Sequence, residues 1–212
     1  MVKVKFCGMR RLEDALDAAR LGVHALGFIF VKASPRYIAP EDAQEIISQL
    51  PPLVVRVGVF SDQNEQEISA VLDICDLDAL QFHGQESPEL CRLFAKKRKR
   101  IIKTFRVKDE SFLDEIPKYN FVDAILLDSF HPHLKGGTGK SFNWHLARRA
   151  REFGIPVILS GGLKPDNIKQ AIVEVNPYAV DVSSGIEEMP GVKDHELMAK
   201  FIAQVWEEEW GY

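Results

Sequence analysis

The sequence has few cysteines and no long hydrophobic run. Its three cysteines lie at positions 7, 75 and 91 of 212 residues, a spacing that fits neither a disulfide framework nor a zinc-binding pattern. No apolar stretch approaches the roughly 18 residues of a transmembrane helix. The charges within the N-terminal MVKVKFCG exclude the apolar core of a signal peptide. We therefore expect a cytoplasmic protein with no membrane partner.

An excess of positive charge is also missing. The formal net charge is -4, which argues against a broad nucleic-acid-binding surface. Residues 96–100 read KKRKR, but this run lies between a predicted helix and a predicted strand. A solvated loop is the more common role of such a run than a binding site. We expect no nucleic-acid partner.

Eight short β-rich segments recur along the chain, and amphipathic segments separate most of them. A hydrophobic fraction of 46% is enough for a sizeable core. The predicted strands are residues 2–7, 24–30, 53–60, 77–82, 100–107, 123–128, 155–160 and 178–183. Repeated strand-then-helix units without a linker predict an α/β fold, a single (β/α)8 TIM barrel over residues 1–212. An open doubly wound sheet is the alternative, because periodicity alone does not prove closure.

Polar residues and glycines gather at the predicted C-terminal ends of the strands, where barrel enzymes carry their active sites. They are Cys7, Gly8, Gln81, His83, Gly84, Asp128, Ser160, Gly161, Gly162, Ser183, Ser184 and Gly185. Side chains two positions apart in a strand share a face, so Lys5 and Cys7 face the barrel interior, as does Asp181. Closure makes the first and last strands neighbours, and unpaired buried charges are costly. We therefore predict an ion pair between Lys5 and Asp181 below Cys7.

Two glycine-containing loops follow the last two strands. SGGL at 160–163 precedes a helix predicted to begin near residue 164, and SSGIE occupies 183–187. Backbone N–H groups in such loops can converge on an anion. The candidate phosphate-binding residues are Gly161, Gly162, Ser183, Ser184 and Gly185. A third segment, KGGTGK at 135–140, lacks the spacing of a nucleotide P-loop and is interpreted as a flexible active-site loop.

Seven motifs, taken together, resemble those of the phosphoribosylanthranilate isomerase family over essentially the whole chain. They are KFCG at 5–8, SPRYI at 34–38, QFHG at 81–84, LLD at 126–128, GGTGKSFNW at 136–144, SGGL at 160–163 and VDVSSGIE at 180–187. The sequence departs from the usual family pattern at Met9-Arg10, Phe82 and Asn143. None of these changes removes a residue to which we assign chemistry, although Arg10 could alter the charge of the rim.

The resemblance implies an enzyme of tryptophan biosynthesis that carries out an Amadori rearrangement of a small phosphosugar without a metal or an organic cofactor. It places the general base at Cys7, the general acid at Asp128 and the anthranilate carboxylate on Arg36. It places phosphate near the two glycine loops. Asp181 and Glu187 match family positions near the site, and we count both as substrate-binding candidates. His83, at a strand end, is a further candidate for an orienting hydrogen bond.

These roles set requirements on two pKa values. A cysteine base must be a thiolate, and an ordinary thiol with a pKa of about 8.5 is mostly protonated at neutral pH. We expect the interior Lys5 to supply the positive charge that favours ionisation of Cys7. An aspartic acid that donates a proton needs an apolar or acidic setting, and the apolar ILL before Asp128 suggests one.

Two other functions remain alternatives at this point. The histidine-pathway aminoaldose isomerase performs the same chemistry on a larger substrate, but that family carries aspartate where this chain has Cys7. A phosphate-metabolite-binding barrel without catalysis is the other, since a fold and an anion site do not establish an enzyme. The presence of both Cys7 and Asp128 argues against it. The sequence leaves monomer and homodimer open.

Overall fold

The chain folds into eight strand-and-helix units. The computed structural model describes residues 1–129 and 144–210, without the side chains of residues 129 and 207–210. The first eight strands are β1 Lys3–Cys7, β2 Ala25–Ile29, β3 Val55–Phe60, β4 Ala79–Phe82, β5 Arg100–Val107, β6 Ala124–Ser129, β7 Val157–Leu159 and β8 Ala179–Val182. The helices are α1 Leu12–Arg20, α2 Pro40–Ile47, α3 Glu65–Ile74, α4 Pro88–Lys96, α5 Phe112–Glu115, α6 Trp144–Ala150, α7 Ile168–Val175 and α8 His195–Trp210.

The eight strands form a closed parallel barrel in chain order, so the prediction of a TIM barrel is confirmed and the open sheet is excluded. Closure takes place between β1 and β8, where Lys5 lies in register with Asp181. Parallel strands direct their C-terminal ends to one side of the barrel. The residues that follow the eight strands therefore surround a single rim.

Two layers of apolar side chains hold the barrel together. Alternate strand residues fill the interior, among them Val57, Ile102 and Leu126. The intervening residues pack against the helices, and Val4 and Phe6 of β1 belong to this outer layer. The alternation predicted for β1 is thus confirmed, and it turns Lys5 and Cys7 inward.

Local sequence signals account for several helix starts. Asn64 and Glu67 form a reciprocal capping box at the beginning of α3. The Ser87 side chain accepts a hydrogen bond at the start of α4, where Pro88 occupies the first turn. Pro40 begins α2 in the same way. These helices return the chain to the opposite end of the barrel.

The structure differs from the sequence predictions in two places near the rim. The helix after β7 begins at Ile168 rather than near residue 164, because residues 165–167 form a turn that the Asn167 side chain holds by accepting from the Lys164 N–H. A two-stranded hairpin, β9 Glu187–Met189 and β10 Val192–Lys193, follows β8 and was not predicted. Within the described ranges, no helix is long and apolar enough to cross a membrane.

Candidate active site

The interior of the barrel carries a buried ion pair directly beneath the rim. Lys5 Nζ lies 2.8 Å from Asp181 Oδ1, and both residues are buried. The predicted pair is therefore confirmed. Ser160 at the end of β7 lies 3.4 Å from the other carboxylate oxygen of Asp181. The pair holds β1 in place. Cys7 is the next residue of this strand that faces the barrel interior.

Glycine at position 27 makes room for Cys7 and Lys5. Gly27 is in register with Cys7 on the neighbouring strand β2. A Cβ added at Gly27 would lie 2.7 Å from Cys7 Sγ and 3.1 Å from Lys5 Nζ. The thiol and the ammonium group therefore share the space beside Gly27, a feature that the sequence analysis missed.

The pKa of Cys7 does not follow the sequence expectation. Burial is the largest influence and raises the pKa of the thiol above its ordinary value, while the charge of Lys5 acts in the lowering direction. Lys5 therefore acts on the Cys7 pKa in the expected direction, but the thiol of the free protein is not ionised at neutral pH, because desolvation outweighs the nearby charge. Asp181 partly neutralises that charge and raises the pKa of Cys7 further.

Asp128 faces the barrel interior at the same rim as Cys7, although the strands that carry them, β6 and β1, are not neighbours. One oxygen of Asp128 lies 3.4 Å from His83 Nε2, and both side chains are about one-quarter exposed. Asp128 therefore does not lie in the enclosed apolar setting that we expected from the sequence. The other ring nitrogen of His83 lies 3.1 Å from the amide nitrogen of the buried Gln81. This contact orients the His83 ring toward Asp128.

Arg36 and Glu187 meet at the rim from opposite ends of the sequence. Arg36 Nε donates to Glu187 Oε1 at 2.9 Å and Nη2 donates to Oε2 at 2.6 Å, a bidentate arrangement. Burial acts to raise the pKa of Glu187, but the hydrogen bonds from Arg36 and Lys193 outweigh it, so the pKa lies below its ordinary value. The Arg36 pKa is raised by the hydrogen bond to Glu187. Both groups are therefore charged at neutral pH.

The two glycine loops after β7 and β8 contact one another. A Cβ at Gly185 would overlap the carbonyl oxygen of Leu163, so glycine is needed where the loops approach. Gly161 and Gly162 both have positive φ values, 86° and 67°. Ser184 and Gly185 belong to a short 3-10 helix. The Ser183 hydroxyl oxygen is buried and has no hydrogen-bond partner among the described residues.

Lys193 is the main site residue that the sequence analysis missed. Its side chain is fully buried, and its Nζ lies 2.8 Å from Glu187 Oε1. Lys193 stands in a two-residue strand, which is too short to show a periodic pattern. The interpretation of residues 135–140 as an active-site loop falls outside the described residues, as does Asn143.

Comparison with known proteins relates this site to one enzyme family. Residues 4–204 match the sequence model of a family described as N-(5'-phosphoribosyl)anthranilate (PRA) isomerase. The N-(5'-phosphoribosyl)anthranilate isomerase of Geobacter metallireducens is 50% identical over 202 residues, which cover 95% of this chain and 98% of that protein.

Solved structures agree with the sequence comparison. Phosphoribosyl anthranilate isomerase from Thermotoga maritima has a TM-score of 0.90 and 45% identity, covering 97% of this chain and 99% of its own. Another structure of this isomerase has a TM-score of 0.87 and 42% identity over the same shares of the two chains. It contains reduced 1-(o-carboxyphenylamino)-1-deoxyribulose 5-phosphate. The resemblance seen in the seven motifs is confirmed, and this chain belongs to the N-(5'-phosphoribosyl)anthranilate isomerase family.

Proposed function

We propose that Cys7 and Asp128 transfer the protons with which this chain isomerises N-(5-phosphoribosyl)anthranilate to 1-(2-carboxyphenylamino)-1-deoxyribulose 5-phosphate in tryptophan biosynthesis. The reaction opens a furanose ring and moves hydrogen from C2 to C1 of the sugar. An acid protonates the ring oxygen, and the C1–O bond breaks to leave an iminium ion. A base then removes the C2 proton, and the substrate nitrogen accepts the electron pair, which gives an enolamine. Tautomerisation of the enolamine to the product adds a proton at C1 and releases the proton of the C2 hydroxyl group.

Cys7 is the base in this scheme. It is buried at the end of β1, next to the ammonium group of Lys5, which Asp181 holds from below. The positive charge of Lys5 stabilises a thiolate, and a bound iminium ion adds a second positive charge. Because burial opposes ionisation in the free protein, Cys7 gains its proton-accepting ability when the cationic intermediate is present.

Asp128 is the acid, and His83 orients it. The ring of His83 lies 3.4 Å from Asp128, and the contact with Gln81 at the other ring nitrogen limits rotation of the ring. The His83 ring, whose Nε2 lies 3.4 Å from Asp128, stabilises the carboxylate that remains after Asp128 has given up its proton. Asp128 is partly exposed, which leaves it accessible to the ring oxygen of a substrate at the rim.

Arg36 and the glycine loops bind the two anionic ends of the substrate. The Arg36 guanidinium has five N–H donors, and the contacts with Glu187 leave Nη1 available for the anthranilate carboxylate. The adjoining loops that contain Gly161, Gly162, Ser183, Ser184 and Gly185 bind the phosphate through backbone N–H groups. The relative that contains a carboxyphenylamino phosphosugar supports both assignments. We place the enzyme in the cytoplasm as a monomer or homodimer, and sedimentation equilibrium separates these two states.

The observation that carries the proposal is the position of Cys7 and Asp128 on the inner face of one rim, each beside a group that stabilises its anion. The experiment is turnover of freshly generated N-(5-phosphoribosyl)anthranilate, followed by loss of anthranilate fluorescence. Cys7→Ser and Asp128→Asn should each lower kcat by about 10²- to 10⁴-fold. Cys75→Ser, which changes a buried cysteine outside the site, is the matched control. Undiminished turnover in both site variants would overturn the assignment.

A further inference from the structure

Lys193 occupies the junction between the proposed base and the proposed carboxylate-binding arginine. Its ammonium group donates to the carbonyl oxygen of Cys7 at 2.6 Å and to that of Ser183 at 3.2 Å. Its third partner is Glu187 Oε1, at 2.8 Å. A lysine ammonium has three donors, so every donor of Lys193 is used inside the protein.

The backbone of Lys193 is fixed as firmly as its side chain. Its N–H donates to the carboxylate of Asp14, a fully buried residue of α1, at 3.1 Å. The second oxygen of Asp14 lies 2.9 Å from His195 at the start of α8. The short strand β10 is thereby anchored to two helices behind the barrel. An anchored backbone and a saturated ammonium group together give Lys193 a single position.

Through Glu187, Lys193 also acts on Arg36. Glu187 accepts from Lys193 with one oxygen and from Arg36 with both. Cys7 and Arg36 are thus joined by an unbroken chain of hydrogen bonds that passes through Lys193 and Glu187. Gly8, the residue after Cys7, lies close to the Arg36 stem, since a Cβ at Gly8 would approach Arg36 Cδ to 2.8 Å. The base and the arginine therefore cannot move independently.

The charges of the three side chains in this hydrogen-bonded network do not cancel. Lys193 and Arg36 contribute two positive charges, and Glu187 contributes one negative charge. The trio therefore has one excess positive charge, although Lys193 and Glu187 are almost completely buried. Excess charge in a poorly solvated place favours the binding of an anion. Arg36, which is the more exposed member, presents this charge to the rim.

We propose that Lys193 is a positioning residue of the isomerase: it holds the end of β1 that carries Cys7, and it maintains the positive charge with which Arg36 selects a substrate carboxylate. This inference rests on the proposed function of Cys7 and Arg36. It predicts that loss of Lys193 has two separable consequences. One is a lower kcat, because the base is no longer held in place. The other is weaker discrimination for the ring carboxylate, because Arg36 and Glu187 then neutralise each other.

The experiment uses two ligands and a set of variants of the complete chain. The ligands are reduced 1-(o-carboxyphenylamino)-1-deoxyribulose 5-phosphate and the corresponding phenylamino compound, which lacks the carboxylate. Calorimetry gives, for each protein, the Kd of the phenylamino compound divided by the Kd of the carboxylated compound. A high ratio means strong preference for the carboxylate. Lys193→Met should lower this ratio by about 10- to 100-fold, the range expected for a charged hydrogen bond. The control is Lys200→Met, which alters an exposed lysine of α8 and should leave the ratio unchanged.

The double variant Lys193→Met/Glu187→Gln separates charge from structural damage. It removes one positive and one negative charge, so Arg36 again provides one net positive charge. The ratio should return to within about threefold of wild type, whereas kcat should stay about 10- to 100-fold low because the Cys7 carbonyl has still lost its donor. Since neither buried charge is left unpaired, the double variant should fold even if Lys193→Met does not.

The outcomes distinguish this inference from the proposed function. If the wild-type protein neither turns over the substrate nor prefers the carboxylated ligand, the proposed function fails. If the wild type does both, and folded Lys193→Met retains the same ligand ratio and the same kcat, the inference about Lys193 is wrong. It is also wrong if the double variant keeps the wild-type kcat, or if its ligand ratio falls as far as that of the single variant.

Discussion

Lys5 and Asp181 face each other across the line along which β1 and β8 close the barrel, with 2.8 Å between Nζ and Oδ1 and with both side chains almost completely buried. Burial is the largest single influence and acts to lower the pKa of Lys5, but the charges of Asp181 and Cys7 and the hydrogen bonds to both together outweigh it, so the pKa is raised. The pair therefore remains ionised over the working range of most enzymes. It links the closure of the fold to the base at the end of the same strand.

Replacement of Lys5 alone should be strongly destabilising. Lys5→Met leaves the carboxylate of Asp181 buried without its partner, and such changes lower the free energy of unfolding by about 3–5 kcal/mol. Urea denaturation followed by circular dichroism measures the loss. Lys164→Met, at an exposed pair with Asp166, is the control and should change stability by less than about 0.5 kcal/mol. A Lys5→Met protein as stable as the control would show that the pair contributes little.

The pH dependence of Cys7 reactivity follows from its buried position. Burial raises the pKa of the Cys7 thiol from 9.0, so the thiolate of the free protein should form only as the pH rises beyond that value. The rate of alkylation by iodoacetamide should therefore still be increasing above pH 9.0. Cys75, with a pKa raised to about 11 by burial, and Cys91, raised to about 12, should also react only at alkaline pH.

Two variants check the assignment of this titration. Cys7→Ser should abolish the part of the alkylation that Cys7 contributes. Lys5→Met should move it to still higher pH, because the charge of Lys5 acts to lower the Cys7 pKa. Alkylation of Cys7 that reaches its full rate near neutral pH would contradict the raised pKa.

Gly27→Ala should damage activity more than stability. The added methyl group would lie 2.7 Å from Cys7 Sγ and 3.1 Å from Lys5 Nζ, so the thiol or the ammonium must shift. A displacement of about 1 Å at a reacting group can lower the rate by about 10²-fold. Gly154→Ala is the contrasting variant, because a φ of 74° strains an alanine by about 1–2 kcal/mol, although the added Cβ would have no atom of the described residues within 4 Å. Gly154→Ala should lose stability and keep its kcat. A loss of kcat in Gly154→Ala together with an unchanged kcat in Gly27→Ala would contradict the prediction.

Arg36→Lys should raise KM more than it lowers kcat. Lysine keeps the charge but cannot donate to Glu187 in the bidentate geometry of Arg36 and still bind a planar carboxylate. We expect KM to rise by about tenfold or more, because one charged hydrogen bond to the substrate carboxylate is lost. Arg149→Lys, at an exposed pair with Glu110, provides the control. Equal KM values in the two variants would exclude a role of Arg36 in carboxylate binding.

Acid should weaken the network around Glu187. The folded-state pKa of Glu187 lies below its ordinary value of 4.5, so the folded protein resists protonation of this carboxyl group. Its stabilising contribution is complete above about pH 4.5 and is lost as the pH falls through the lowered pKa. The difference in unfolding free energy between wild type and Glu187→Gln should therefore shrink on acidification. A difference that does not change with pH would contradict the lowered pKa.

Repeated strand-and-helix units predicted the barrel, and closure of that predicted barrel led in turn to one buried contact. Alternation along β1 and β8 placed Lys5 and Asp181 on inner faces, and closure made these strands neighbours, so the pair could be predicted without a structure. The same reasoning placed Cys7, His83 and Asp128 on one rim. Each of these predictions depends only on a repeating pattern and on the parallel direction of the strands.

The remaining features depend on contacts between distant segments that have no repeating pattern. Lys193 lies in a two-residue strand, and the Cys7 carbonyl to which its ammonium group donates belongs to the first strand of the chain. The sequence showed the lysine that acts to lower the Cys7 pKa, but not the depth of burial that raises it more strongly. Gln81 was among the polar residues expected at the strand ends, but its contact with the His83 ring was not predicted.

The most direct test of the central claim measures the isotope effect on kcat with substrate deuterated at C2. If Cys7 removes the C2 proton, Cys7→Ser makes that step limiting and should increase the isotope effect above the wild-type value. Asp128→Asn should slow ring opening instead and bring the isotope effect toward unity. The opposite result, a larger isotope effect in Asp128→Asn than in Cys7→Ser, would contradict the assignment of Cys7 as base and Asp128 as acid.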